Sequence, residues 1–293
     1  MIADKLKSAS LRLILALLIA VTAAASPETV RRATELYERT EYESSLRVLA
    51  EDPAPGAPDY FLIGKNYFMT GDYKKATGFF EKALVVSPAS SPHATSEYEL
   101  WLGRAWGRRA ESGGWAMAVS YASQARQCFE KAVALDPRNN EAKNDLFEFY
   151  LTAPGILGGG MEKAEAAARS IAGERPPEYE HEQAQLAERR KDYAAAEAHL
   201  RRAMELAPGE AGRVVDLAQY LAGRGRVKES DPLFDRARKM APGSPRVAFA
   251  IARTDIENHR NMEQARSLLQ EYLHASLTPD DPPRHEAEKL LRR

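Results

Sequence analysis

A single cysteine in 293 residues, Cys128, leaves no intramolecular disulfide to form, so packing must hold this chain together in any redox compartment. It reads as a small apolar residue on a helix face rather than a reactive thiol. Long runs of Val, Ile and Thr bounded by turn residues are also missing, which argues for little or no β-sheet. An excess of one charge is missing as well: 41 Lys and Arg stand against 42 Asp and Glu, without the basic stripe of a nucleic-acid-binding surface. The six histidines, at 93, 181, 199, 259, 274 and 285, show no paired spacing of a metal site, and neither a metal nor a cofactor is expected.

Catalytic motifs are equally sparse. His181 and Glu182 begin like a zinc-protease helix, but Gln185 stands where the second His of H-E-x-x-H belongs. Gly155 to Gly160 followed by Lys163 invites a phosphate-loop reading. Met161 and Glu162 interrupt it, and the stretch follows a predicted helix rather than a strand. Pro154 and the glycines fit a structural loop. A non-catalytic protein is therefore expected.

What the chain does have is helix-forming composition, with Ala, Leu, Glu and Arg recurring and 28% charged residues. Its first 25 residues read as a secretory signal: Lys5, Lys7 and Arg12 precede an apolar run from Leu13 to Val21, and Ala23 and Ala25 form an A-x-A pattern with cleavage before Ser26. The run is shorter than the roughly 20 residues of a spanning helix, so a periplasmic or secreted protein is expected. An uncleaved inner-membrane anchor is the alternative. Without residues 1–25, which hold three bases and one acid, the remainder carries 38 basic and 41 acidic side chains, net −3.

The strongest signal is internal repetition. Tyr60, Ile63, Gly64 and Tyr67 share one helix face, and Ala76, Phe80 and Ala83 share the face of a second helix. Thr70, Gly71 and Asp72 supply the turn between them and Pro88 the stop. Small Gly64 and Ala76 permit close helix approach, with Phe80 filling space between layers. The second-helix stripe recurs as Ala125, Phe129, Ala132, Pro137; Ala164, Ala168, Ile171, Pro176; Ala196, Leu200, Ala203, Pro208; and Ser230, Phe234, Ala237, Pro242. Pro208 and Pro242 are 34 residues apart. Pro176 and Pro208 are 32 apart, which predicts a shortened first helix, and the longer intervals predict insertions near 107–118 and 152–160. Ala265, Leu269 and Tyr272 mark a last, degenerate repeat.

Residues 60–88 match position by position the pattern of the tetratricopeptide repeat (TPR) family, which most of residues 28–278 resembles. The resemblance implies an all-α, right-handed superhelical solenoid of about six to seven helix-turn-helix repeats. It predicts an atypical helix pair at 26–56, the solenoid at 57–278 and a capping helix at 279–293. In such solenoids the first helices line a concave face that takes a protein or peptide partner. Carried over by repeat position, that face holds Phe61, Lys65 and Phe68; Arg104 and Arg108; Asn144 and Glu148; His181, Gln185 and Glu188; Gln219; and Phe249 and Arg253. The Lys and Asn pairings of the family's carboxylate clamp are not reproduced there. Trp101, Trp106 and Trp115 form a second candidate interface, with burial inside longer helices as the alternative. The expected function is a scaffold or adaptor in the cell envelope. An enzyme accessory or small-molecule binder using the 152–160 loop, and a self-assembling structural protein, are the alternatives.

Overall fold

The computed structural model describes residues 27–86, 91–112 and 114–293. The signal segment with its cleavage point, and the helix stop at Pro88, lie outside the described residues. Among those described there are helices and no strands. They form seven antiparallel pairs: α1 (Pro27–Glu38) with α2 (Tyr42–Leu49), α3 (Ala57–Met69) with α4 (Tyr73–Val86), α5 (Pro92–Ser112) with α6 (Trp115–Leu135), α7 (Asn140–Thr152) with α8 (Met161–Ile171), α9 (Pro176–Arg189) with α10 (Tyr193–Leu206), α11 (Ala211–Gly223) with α12 (Val227–Met240), and α13 (Pro245–Glu257) with α14 (Met262–His274). A final helix, α15 (Arg284–Leu291), covers the last pair. Each pair packs within itself and on the next, which is the nearest-neighbour architecture of a solenoid.

The second-helix stripe explains the stacking. Ala76, Phe80 and Ala83 are fully buried, as are or nearly are Ala125, Phe129, Ala132; Ala164, Ala168, Ile171; Ala196, Leu200, Ala203; Ser230, Phe234, Ala237; and Ala265, Leu269, Tyr272. Small residues at most stripe positions bring backbones close, and the larger ones fill the space between layers. The close approach is literal at Gly64, where an added Cβ would lie 2.5 Å from the Phe80 ring, and at Gly103, 2.6 Å from the ring of Phe129.

Side chains cap several helix starts: Asn139 accepts from the Ala142 amide (3.0 Å), Asp192 from Ala195 (3.1 Å) and Ser244 from Val247 (3.4 Å). In five pairs the turn places a left-handed residue two positions past the first helix: Thr40, Gly71, Lys191, Gly225 and His259. Gly71 and Gly225 take this conformation freely, whereas the other three adopt it at some steric cost.

Both irregular intervals have simple causes. Near 107–118 the extra residues lengthen helices rather than forming a loop: α5 and α6 have 21 residues each where α3 and α4 have 13 and 14. At 152–160 they form a loop with one 3-10 turn, Gly155–Leu157. The shortened helix expected from the 32-residue interval is not found, because α9 has 14 residues. Pro176 opens α9 at its first turn, where a missing N–H is harmless, while Pro208 follows the end of α10. The two prolines occupy different places in their repeats.

Candidate functional site

The first helices α3, α5, α7, α9, α11 and α13 supply the inward face. At its amino-terminal end the ammonium of Lys65 lies 4.6 Å from the ring centre of Tyr37, 4.9 Å from Trp101 and 5.7 Å from Phe61. Burial in this aromatic cage pulls the Lys65 pKa down against the carboxylates of Glu38, Glu97 and Glu141. Phe61 also packs on Tyr98 and Phe80, and Phe68 meets Trp101 edge-on at 5.3 Å. Arg104 stacks on Trp101, donates to Asp145 (2.6 Å) and pairs with Glu141 (2.9 Å). Burial lowers its pKa and these two carboxylates more than restore it. Phe61, Lys65 and Arg104 thus hold neighbouring pairs together, and a charge reversal at Lys65 or Arg104 would disturb packing before it reported on a ligand.

The middle of the face differs. His181, Gln185, Glu188 and Gln219 come together around a cavity of about 320 Å³, with Asp216 and Tyr220. His181 Nδ1 stands 3.4 Å from Asp216, and Gln219 donates to the Thr254 hydroxyl at 3.3 Å. Burial raises the pKa of Asp216, opposed by His181 and Arg213, and raises that of Glu148, opposed by His181. Asn144 accepts from Arg175 at 2.8 Å, a bond between pairs.

Phe249 and Arg253 line two further cavities. One, of about 620 Å³, lies between α11 and α13. The other, about 460 Å³, is closed by Phe68, Tyr73 and Arg108 on one side and by Phe249, Arg253, Pro282, Glu286 and Lys289 on the other. Residues from α3 and α5 therefore face residues from α13 and α15 across one space. The approach is polar: Arg284 donates to the Thr40 hydroxyl (2.8 Å), Tyr73 OH lies 3.3 Å from His285 Nε2, and Arg108 pairs with Glu286. Each of these three contacts joins residues more than 170 positions apart. A single repeat pattern carries no signal for such a closure.

Of the tryptophans, Trp101 and Trp106 are in the packing; Trp106 lies 5.1 Å from Tyr121, with Arg109 stacked on both rings at 4.3 Å. The side chain of Trp115 lies outside what is described. Cys128 is buried against Phe129, and burial pushes its thiol up to about 12, which keeps it protonated. In the glycine loop, Gly158 (φ 90°) and Gly160 (φ 152°) take positive φ, and a Cβ on Gly159 would strike the Ala153 carbonyl oxygen at 1.9 Å. Lys163 donates to the Gly158 carbonyl (2.8 Å) and the Gly160 amide to Tyr150 (2.8 Å), so these groups serve the loop's own conformation.

Sequence reasoning missed the buried polar ladders. Asn66 donates to Ser45 Oγ (3.0 Å), which donates to the Ala33 carbonyl (2.8 Å). Asn139 repeats this with Ser96 (3.0 Å) and the Ala132 carbonyl (2.8 Å). The only clue was a Ser or Asn interrupting an apolar stripe.

Antiparallel helix pairs stacked with a recurring stripe of small and large residues define a helical repeat solenoid. Similar solved structures give its type. A thermophilic TPR protein of Thermus thermophilus superposes with a TM-score of 0.52 at 20% identity, covering 66% of this chain and 97% of that one. A tetratricopeptide repeat protein of Parabacteroides merdae superposes with a TM-score of 0.56 at 12% identity, covering 90% and 96%. The chain has the tetratricopeptide repeat fold. No protein-family model matches the sequence, and no curated protein matches it.

Proposed function

We propose that this chain is a non-catalytic scaffold that holds a segment of a protein partner against its inward face. The observation that carries this reading is the division of labour along that face. Lys65 and Arg104 are locked into packing at one end, whereas His181, Gln185, Glu188, Gln219 and Arg253 line open cavities with few committed bonds. Half-exposed polar groups above a rigid helical frame suit recognition of an extended chain, which needs specific contacts more than a deep chamber.

Affinity capture from cell-envelope extract tests it. Wild type is expected to retain a partner that Glu188→Arg with Gln219→Arg loses by about tenfold or more while the helix content stays unchanged, because the two changes alter the cavity and not the stripe and remove only the Gln219 bond to Thr254. Equal capture by both proteins would remove these residues from the binding face.

We also propose that the scaffold works outside the cytoplasm. The basic, apolar and small-residue order of residues 1–25 supports this reading. Protein isolated from its native cells is expected to show an intact mass beginning at Ser26. A mass that includes Met1 would support the anchored alternative instead.

A further inference from the structure

The cavity between α3, α5, α13 and α15 already contains a carboxylate of this chain. Glu286 pairs there with Arg108, whose Nε also donates to Tyr73 OH at 3.2 Å and whose Nη1 pairs with the exposed Glu111 at 2.9 Å. Three more cations border the space with little to hold them. Among the described residues Arg253 has only Glu257 at 3.8 Å, and the exposed side chains of Lys289 and Arg293 have no partner. Phe68, Tyr73, Phe249 and Leu290 form its apolar wall. Four cations, Arg108, Arg253, Lys289 and Arg293, thus border a space whose own acids are Glu257 and Glu286.

As a brace, the Arg108–Glu286 pair is weak. Both side chains are partly exposed, at 33% and 26%, and a pair of that kind is readily screened and exchanged. Helix α15 does not depend on it, since Ala287 and Leu290 pack into the core of the last pair with Phe249, Ala252 and Leu269. A competing carboxylate could take Arg108 without unseating α15.

We propose that this cavity binds an acidic segment of a protein partner through Arg108, Arg253 and Lys289, and that Glu286 is an internal carboxylate which that segment displaces. The proposal rests on the scaffold reading and adds the chemistry of the ligand and the closure that regulates it. Charge complementarity selects the occupant: four cations against two acids call for carboxylates, and the apolar wall accepts an aromatic or aliphatic side chain between them.

The experiment measures anisotropy of a fluorescein-labelled peptide of Glu, Phe and Ser on the full chain, beside the same peptide with Gln for every Glu. The acidic peptide is expected to bind and to weaken with salt. Glu286→Gln is expected to tighten it about two- to fivefold, the worth of one exposed ion pair. Lys289→Glu, at an exposed position that leaves the fold intact, is expected to weaken it several-fold, and more with Arg253→Glu added. Equal binding of the neutral peptide, or a Glu286→Gln affinity no higher than wild type, would overturn the proposal. Failure of both peptides while Glu188→Arg with Gln219→Arg still abolishes partner capture would sink the acidic ligand and leave the scaffold reading standing. Failure of both experiments would remove both.

Discussion

Phe80→Ala is expected to destabilise the amino-terminal half of the solenoid by about 3–5 kcal/mol, the usual cost of emptying a core aromatic site. The ring is fully buried, and its centre lies 5.8 Å from that of Phe61 and 6.3 Å from that of Trp101, so it joins two successive pairs. In a quasi-one-dimensional stack the loss should stay local. Hydrogen exchange is expected to quicken in α3–α6 while α10–α12 keep their protection. Gly64→Ala approaches the same contact from the other side. Its Cβ would sit 2.5 Å from a ring that its neighbours hold in place, an overpacking expected to cost about 1–3 kcal/mol. The double variant separates this account from a generic loss of stability. With the ring gone, the new methyl enters vacated space, so the two changes together should cost about 1–2 kcal/mol less than their separate effects imply. Strict additivity in urea titrations would mean that the glycine is there for some reason other than Phe80.

This contact is also where the sequence was most legible. Periodic stripes carry fold information because each position has one role in every repeat, and small residues three and four apart have few other uses. The stripe positions read from Ala76, Phe80 and Ala83 are all buried, and so are their equivalents through Tyr272. Three kinds of feature were hidden. Left-handed turns at Thr40, Lys191 and His259 use residues that do not advertise positive φ, whereas Gly71 does. Buried Ser–Asn pairs look like surface polarity until the neighbouring pair is in place. The face itself was legible by position and not by state. Repeat arithmetic placed Lys65 and Arg253 alike on first helices, but only tertiary contacts make the first a caged cation and leave the second half-exposed. The contacts of Arg284, His285 and Glu286 with the amino-terminal pairs depend on how far the superhelix winds, a sum of small rotations that no single repeat encodes.

Stability is expected to fall as pH rises from about 4.5 to 8, and Glu182 should be a principal cause. Its side chain lies on α9, 2% exposed, with Oε2 lacking a hydrogen-bond partner. Burial, then the like charge of Glu178, raise its pKa from 4.5 to about 8 against the pull of Arg175. The sign follows from proton counting. Below pH 4.5 the carboxyl is protonated in both folded and unfolded chains and contributes no pH dependence. Between 4.5 and 8 the unfolded chain releases the proton while the folded chain keeps it, so each step upward in pH favours unfolding. Above about 8 both states are ionised and the loss is complete. The rise sets an upper bound of about 5 kcal/mol, and relaxation and water penetration around a buried charge bring the expected loss nearer to about 2 kcal/mol. Burial also raises the pKa of Asp216 and of Glu148, so the wild-type curve alone does not isolate this group. Glu182→Gln does. It keeps the shape, removes the charge, and is expected to match wild type near pH 4 while exceeding it by about 2 kcal/mol above about pH 8. Parallel curves for the two proteins in urea titrations across this range would show that Glu182 ionises in the folded chain as readily as in water, and that α9 opens enough to hydrate it.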